Sequence, residues 1–297
     1  MDSILEINDL TKRYDTFTLD GISMRLDEGF IMGLVGPNGA GKTTLIKLIL
    51  SLLRKDSGKI SIFGMDATDK EDHIKQQLGF VLDESSWYDD LRVREMAAVI
   101  SPFYVDWNST IFNDYLNRFG IFTDQRIGTL SKGMKMKFSL AVALSHNARL
   151  IIMDEPTSGL DPIIRDEVLD MLQEIIREGD RSILFSSHIS SDVDKIADYI
   201  TFINDGKIVF SESREFIKDT YHIIKGPLEY LDRDTSRFFV GIRKKQHTFS
   251  AITTRSNMVL KDFGRYLNSG KMIMEPASID EIMLHTIKGE NYDQPSV

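Results

Sequence analysis

FIMGLVGPNGAGKTTLIKLIL, residues 30–50, decides the fold. Phe30–Gly36 is a short, nearly all-apolar run bounded by glycines, the pattern of a strand buried on both faces of a parallel sheet. A Gly-rich turn follows and runs into an apolar, helix-like segment. Residues 36–43, GPNGAGKT, fit the spacing G-x-x-x-x-G-K-[ST] between that strand and that helix. Glycines let backbone amides approach phosphate oxygens and adopt positive φ. The amides form a concave anion nest, and the helix N-terminus adds positive potential. The expected phosphate cradle is Gly36, Pro37, Asn38, Gly39, Ala40, Gly41, Lys42, Thr43 and Thr44. Lys42 supplies a point charge for the terminal phosphates, and the Thr43 hydroxyl suits a Mg²⁺ shell.

LIIMDE, residues 150–155, extends this reading. Four apolar residues lead into two carboxylates at the C-terminal edge of a strand, where ligands of open α/β sheets bind. Asp154 is expected to hold Mg²⁺ through its water shell, and Glu155 to orient and deprotonate an attacking water. Strand alternation is expected to point the two carboxylates in opposite directions.

The rest of the chain fits an α/β protein. ILEINDLTKRY alternates as a strand ending near Tyr14, and ISIFG (60–64) and LGFVLDE (78–84) close two more. From about Leu91 to Asn147 the periodicity is helical, interrupted near Ser101–Pro102 and Gly120–Thr129. Strands and helices then alternate: LIIM, a helix near 163–178, SILFSSH, a helix near 190–197, and YITFINDGKIVF, whose Asp205–Gly206 marks a hairpin. The composition changes near Glu215. Residues 222–297 hold 11 Lys and Arg against 9 Asp and Glu, which leaves the acidic balance to the first part. This tail reads as a strand pair, a helix, a strand and a closing helix with the capping box Ser278-x-x-Glu281. The expected organisation is a core over 1–214, with a helical subdomain at about 85–148, and a small α+β appendage over 215–297.

Bulk properties narrow the function. A net charge of −9 argues against a nucleic-acid partner, which usually meets a basic face. With no cysteine, disulfides and thiolate metal sites are excluded, which suits a reducing cytoplasm. Neither a signal peptide nor an apolar run long enough to span a bilayer is read.

On these motifs the chain resembles ATP-binding subunits of ABC transporters over about residues 4–212. The resemblance implies a P-loop NTPase core of the ABC ATPase type. It implies that Tyr14 stacks on adenine, and that His188, after SILFSS, is the switch histidine contacting the γ-phosphate. Ser158-Gly159-Leu160-Asp161 resembles the D-loop that reaches the opposite subunit. LSKGM, residues 130–134, resembles the signature loop usually written LSGGQ. Ser131 and Gly133 are kept, and in the family they face the γ-phosphate held by a partner. Ser131 is also a simple N-cap candidate; the two roles are compatible. Lys132 and Met134 depart from the pattern. So does Asp83, which stands at the usual Q-loop glutamine: an ionised carboxylate only accepts hydrogen bonds, though it could still touch Mg²⁺.

The catalytic set implied is Lys42, Glu155 and His188, with Thr43, Asp154 and Asp83 toward the metal. The implied cofactors are ATP and Mg²⁺. One P-loop and one signature loop per chain imply a homodimer, or a heterodimer with a related ATPase chain. The stretch between Asp83 and Ser131 is where the family docks a separate transmembrane permease, which alone contacts the exported substrate. Trp87, Tyr88, Phe103, Tyr104 and Trp107 lie there, with Trp87 and Tyr88 the favoured contacts. The chain would thus sit peripherally on the inner face of the membrane. The whole pattern is especially similar to ATPases of bacterial exporters of drugs and amphipathic peptides, such as phenol-soluble modulin exporters. The alternatives are a soluble ABC ATPase acting in cofactor assembly and a regulatory binder with a weak site.

Overall fold

The computed structural model describes residues 2–82, 87–177, 181–231 and 236–289. Asp83 therefore lies outside the described residues. The chain forms two compact units, Met1–Ser211 and Glu212–Val297.

In the first unit, β1 (Ser3–Arg13) and β2 (Thr18–Asp27) form an antiparallel pair extended by β4 (Ser57–Ile62) and β5 (Met65–Asp66), in the order β2-β1-β4-β5. β2 has no counterpart in the reading of the sequence. A bulge breaks its alternation: Leu10 pairs with Ile22 but Lys12 with Leu19, and Gly21 takes φ +61° between them.

The second sheet is built from β3 (Ile31–Val35), β6 (Leu78–Val81), β7 (Leu150–Met153), β8 (Ser182–Ser187), β9 (Tyr199–Asn204) and β10 (Lys207–Ser213), in the order β10-β9-β3-β8-β7-β6. β9, β3, β8, β7 and β6 run parallel. Every residue of β3, β7 and β8 is buried, which is why IMGLV, LIIM and the ILF of β8 are apolar runs rather than alternating ones, while the buried serines of β8 need hydrogen-bond partners. Each such Leu or Ile contributes about 1.5–3 kcal/mol through burial. Asp205 and Gly206 both take positive φ, 47° and 73°, and close the β9–β10 turn as their sequence predicts.

Helices pack around this sheet. α1 (Lys42–Ile49) follows β3, and the short α2 (Glu71–Lys75) precedes β6. α3 (Val93–Ile100), α4 (Ser109–Arg118) and α5 (Lys132–Leu144) fill the helical stretch. α4 is capped by Asn108, whose Oδ1 accepts from Thr110 N and Ile111 N. α6 (Pro162–Arg177) and α7 (Ser190–Ile196) complete the unit. α7 lies directly on β3: a Cβ at Gly33 would stand 2.4 Å from Val193 Cγ1, so only glycine fits.

The second unit contains α8 (Arg214–Thr220), β11 (His222–Pro227), β12 (Val240–Lys244), β13 (Thr248–Thr253), α9 (Ser256–Asn268), β14 (Ile273–Pro276) and α10 (Ile279–Lys288). Its sheet order is β12-β13-β11-β14. The core includes Ile224, Phe239, Phe249 and Phe263. The capping box of α10 is formed: Glu281 N donates to Ser278 Oγ at 3.2 Å and Ser278 N to Glu281 Oε2 at 3.1 Å.

Candidate active site

β3, β8 and β7 are neighbours in the sheet, so the loops leaving their C-terminal ends converge. The loop after β3 carries Gly36–Gly41, the loop after β7 carries Asp154 and Glu155, and the turn after β8 carries His188. They surround a cavity of about 400 Å³ lined by Phe17, Asn38, Gly39, Gly41, Lys42, Thr43, Thr44, Glu155, Ser158 and His188. Gly39 and Gly41 take φ +82° and +110°, and Gly41 stands at the N-cap of α1. Gly36 is required for another reason: a Cβ there would lie 2.2 Å from Ile203 O on β9.

Lys42 is 6% exposed. Its Nζ donates to Gly36 O at 2.9 Å and Pro37 O at 3.3 Å, and stands 3.4 Å from Glu155 Oε1. The other Glu155 oxygen, Oε2, lies 2.6 Å from His188 Nδ1 and accepts from His188 N at 3.2 Å. The P-loop lysine, the proposed base and the histidine thus form one linked series. Asp154 is buried, and its Oδ1 accepts from Ser186 Oγ at 2.6 Å. The same hydroxyl accepts from Glu155 N at 2.9 Å.

Asp154 and Glu155 diverge, but strand alternation is not the cause. β7 ends at Met153, and Glu155 sits in the left-handed region with φ +51°. The turn aims Glu155 at the cavity, and Ser186 pins both residues. Such strain in a non-glycine residue costs about 1–3 kcal/mol and marks a position held by its surroundings.

Ser131 caps α5, its Oγ accepting from Met134 N at 3.2 Å. With Lys132, Gly133, Gly159 and Asp161 it lines a separate cavity of about 190 Å³. Among the described residues, none of the signature loop lines the P-loop cavity. Gly133 is buried, and a Cβ on it would stand 2.8 Å from Ile164 Cγ2 on α6. Its small size therefore serves packing inside the chain. Lys132 does not simply extend into water: its Nζ and stem lie across Gly159, 3.3–3.8 Å from where a Cβ would be.

Tyr14 is 43% exposed and does not line the cavity; Phe17 does, with ring centroids 6.5 Å apart. Phe17 and Ser186 are absent from the site read in the sequence, and Ser158, read there as part of the loop that reaches the opposite subunit, lines its own chain's cavity. Ser186 left a signal: a serine inside an all-buried strand needs a partner, and two carboxylates stand one strand away. The turn Asp205–Gly206 also touches the site. Gly206 N donates to Ala40 O at 3.1 Å, and Gly206 O accepts from Asp20 N at 2.8 Å.

Trp87 is half-buried, with its ring turned toward α5. It packs edge-on against Phe138, ring centroids 5.2 Å apart, and donates to Ser139 Oγ at 2.9 Å. Tyr88 is 66% exposed. Phe103 and Tyr104 line an apolar groove of about 380 Å³ with Leu50, Leu52, Leu78 and Phe80.

A buried parallel sheet, an anion cradle after one strand and an Asp-Glu pair after the strand next but one define a P-loop ATPase. The family model described as ABC transporter matches residues 19–158. The chain is 34% identical to the lantibiotic transport ATP-binding protein SrtF of Streptococcus pyogenes, over 70% of this chain and 90% of that protein. It is 32% identical to the bacitracin transport ATP-binding protein BcrA of Bacillus licheniformis, over 70% of this chain and 69% of that one. A solved ATP-binding subunit of an ABC transporter superposes with a TM-score of 0.66 at 26% identity, covering 72% of this chain and 92% of that one. The chain belongs to the ABC transporter family, as its motifs imply, and it is an ATP-binding, ATP-hydrolysing subunit.

Proposed function

We propose that this chain is the engine of a bacterial exporter of peptides or peptide-like antibiotics. Two ATPase subunits close around two ATP molecules and drive a separate membrane permease. The observation that carries the two-subunit part is that Ser131 and Gly133 line a cavity apart from the one that holds Lys42 and His188, while Leu130 and Lys132 share a third with Asp154 and Glu155. A signature serine set apart from its own chain's P-loop cavity is free to complete the site of a second copy or a related chain.

In the site, Lys42 meets the β- and γ-phosphates with its charge in place of Glu155 and the Gly36 and Pro37 carbonyls. Glu155 takes the proton of the attacking water, and His188 orients that carboxylate through Nδ1. The Thr43 hydroxyl and the Asp154 carboxylate are hard oxygen donors, and the set fits Mg²⁺. When bound, the ion would neutralise charge developing on the phosphates. Phe17, or Tyr14 after a small movement, offers an aromatic face to the adenine.

The relatives' transport of bacitracin and lantibiotics supports an exported peptide, and favours export over cofactor assembly. The groove at Leu52, Phe80 and Phe103 offers apolar surface for a permease helix. The chain would then sit peripherally on the membrane's inner face, never touching the substrate. Glu155→Gln with ATP tests the proposal by sedimentation: the variant accumulates as a dimer, alone or with its related chain. ATP-saturated Glu155→Gln remaining monomeric with every candidate partner would refute the two-subunit clamp.

A further inference from the structure

Asp192, in the first turn of α7, is a carboxylate taken out of water: its side chain is 1% exposed. Oδ2 accepts from Thr157 Oγ1 at 2.6 Å, and Oδ1 from Arg165 Nε at 2.5 Å. The Arg165 guanidinium also donates to Ser191 Oγ at 2.9 Å. Thr157 is itself 1% exposed. None of these residues lines the P-loop cavity, and the chemistry described above uses none of them.

Their order along the chain gives the network its meaning. Thr157 immediately precedes Ser158–Asp161, and Arg165 lies in the first turn of α6 just after it. Both ends of that loop are therefore fastened to one carboxylate. The loop is also folded on itself: Ser158 N donates to Glu155 O at 3.1 Å, Leu160 N to Thr157 O at 3.3 Å and Arg165 N to Asp161 O at 2.9 Å. The helix that bears Asp192 begins two residues after His188. A second tie thus runs parallel to the Glu155–His188 contact, joining the loop after β7 to the helix after β8.

Stability alone does not explain such an arrangement. Burying a carboxylate costs its hydration, and a guanidinium that stays 26% exposed offsets only part of that, so apolar side chains of the same volume would stabilise as well. What the pair provides is direction: a carboxylate with one oxygen on a hydroxyl and the other on a guanidinium fixes its partners' placement.

We infer that Asp192 is a positioning residue for the ATPase, holding both ends of the Ser158–Asp161 loop through Thr157 and Arg165 and tying that loop to the helix after His188. The inference rests on the two-subunit reading, in which this loop reaches the neighbouring subunit's site. Displacement of α7 carries the loop with it, so the position of His188 is felt at the opposite site.

The test uses the full chain and follows three readouts: ATP affinity without Mg²⁺, kcat against KM with Mg²⁺, and ATP-dependent dimerisation in a Glu155→Gln background. Asp192→Asn removes the charge and keeps the shape; Thr157→Val removes one hydroxyl at constant volume. Each is expected to bind ATP within about twofold of the parent and to lose roughly 10- to 10²-fold in kcat, the scale of a misplacement remote from the chemistry. Dimerisation weakens in parallel. Thr157→Ser restores the hydroxyl and returns kcat to near the parent value, whereas a merely structural role would show as a lowered melting temperature with kcat unchanged. Should Asp192→Asn fail to fold, the Thr157→Val and Thr157→Ser pair decides. Parent-like kcat and dimerisation in Thr157→Val, with the Glu155→Gln parent dimerising normally, would overturn the inference and leave the two-subunit reading standing. A Glu155→Gln parent that never dimerises removes both, because the loop then has no neighbour to reach.

Discussion

His188 Nδ1 lies 2.6 Å from Glu155 Oε2, and the carboxylate's other oxygen faces Lys42 at 3.4 Å. Glu155 is thus held between two nitrogen donors, and its oxygens differ in environment. Removing the imidazole leaves Oε2 with one backbone donor and a wider range of rotamers. His188→Ala is expected to lower kcat on the order of 10²-fold. ATP affinity, read by equilibrium binding, should change by less than about threefold, since affinity rests on the phosphate cradle.

Lys42 behaves oppositely. A charged hydrogen bond contributes about 1.5–3 kcal/mol. Lys42→Ala is therefore expected to weaken ATP binding roughly 10- to 10²-fold. Titration calorimetry with ATP checks this, and an unchanged Kd would remove Lys42 from the phosphate site.

Gly133→Ala places a methyl 2.8 Å from Ile164 Cγ2. Overpacking of this kind costs about 1–3 kcal/mol. Ile164→Val does not remove Cγ2, so Ile164→Ala is the appropriate relief. The double variant should recover part of the melting temperature lost in Gly133→Ala, and its ATP-driven dimerisation separates packing from any contact with a partner's phosphate.

Acid should destabilise both units through buried histidines. His146 stacks on Tyr104, 3.7 Å between ring centroids, with its nitrogens near Val142 O and Leu78 O. His285 contacts Gly241 O and Ser250 Oγ. Burial, the leading cause in each, holds both imidazoles below the ordinary histidine value. The unfolded chain then binds more protons, so stability is full above about pH 6.5 and falls as pH drops through that value toward the lowered one. Thermal melts between about pH 7.5 and 5 should show this fall. His146→Gln should flatten the part belonging to the first unit.

Phe103 is 72% exposed on the groove it shares with Phe80 and Leu52. Phe103→Asp puts a charge on apolar surface without touching the ATP cavity. It should keep basal ATPase activity within about twofold. Co-purification with a permease from detergent-solubilised membranes should be lost.

The strands that bury both faces were legible because unbroken apolar runs such as LIIM and SILF admit few other readings. The phosphate cradle was legible because glycine spacing and a following lysine encode backbone geometry directly. β2 was hidden by the bulge at Gly21, and β11 by Gly226–Pro227, which reads as a turn although Pro227 pairs with Thr248 at the strand's end. Phe17, Ser186 and Asp192 were hidden for a different reason: their roles come from neighbours about 20 to 35 residues away in sequence. Trp87 shows the same limit, since its partners Phe138 and Ser139 lie on α5.

The Asp205–Gly206 turn has a meaning beyond closing a hairpin. Through Gly206 it holds Ala40 of the cradle on one side and Asp20, just past Phe17, on the other. A Cβ at Gly206 would collide with Thr18 O at 1.9 Å, so no other residue can take its place without moving the strand. The Phe17 wall of the cavity and the glycine-rich nest are thereby preorganised at a fixed separation. A nucleotide entering between them would forfeit little conformational freedom, with the separation set by a dipeptide that does not itself line the cavity.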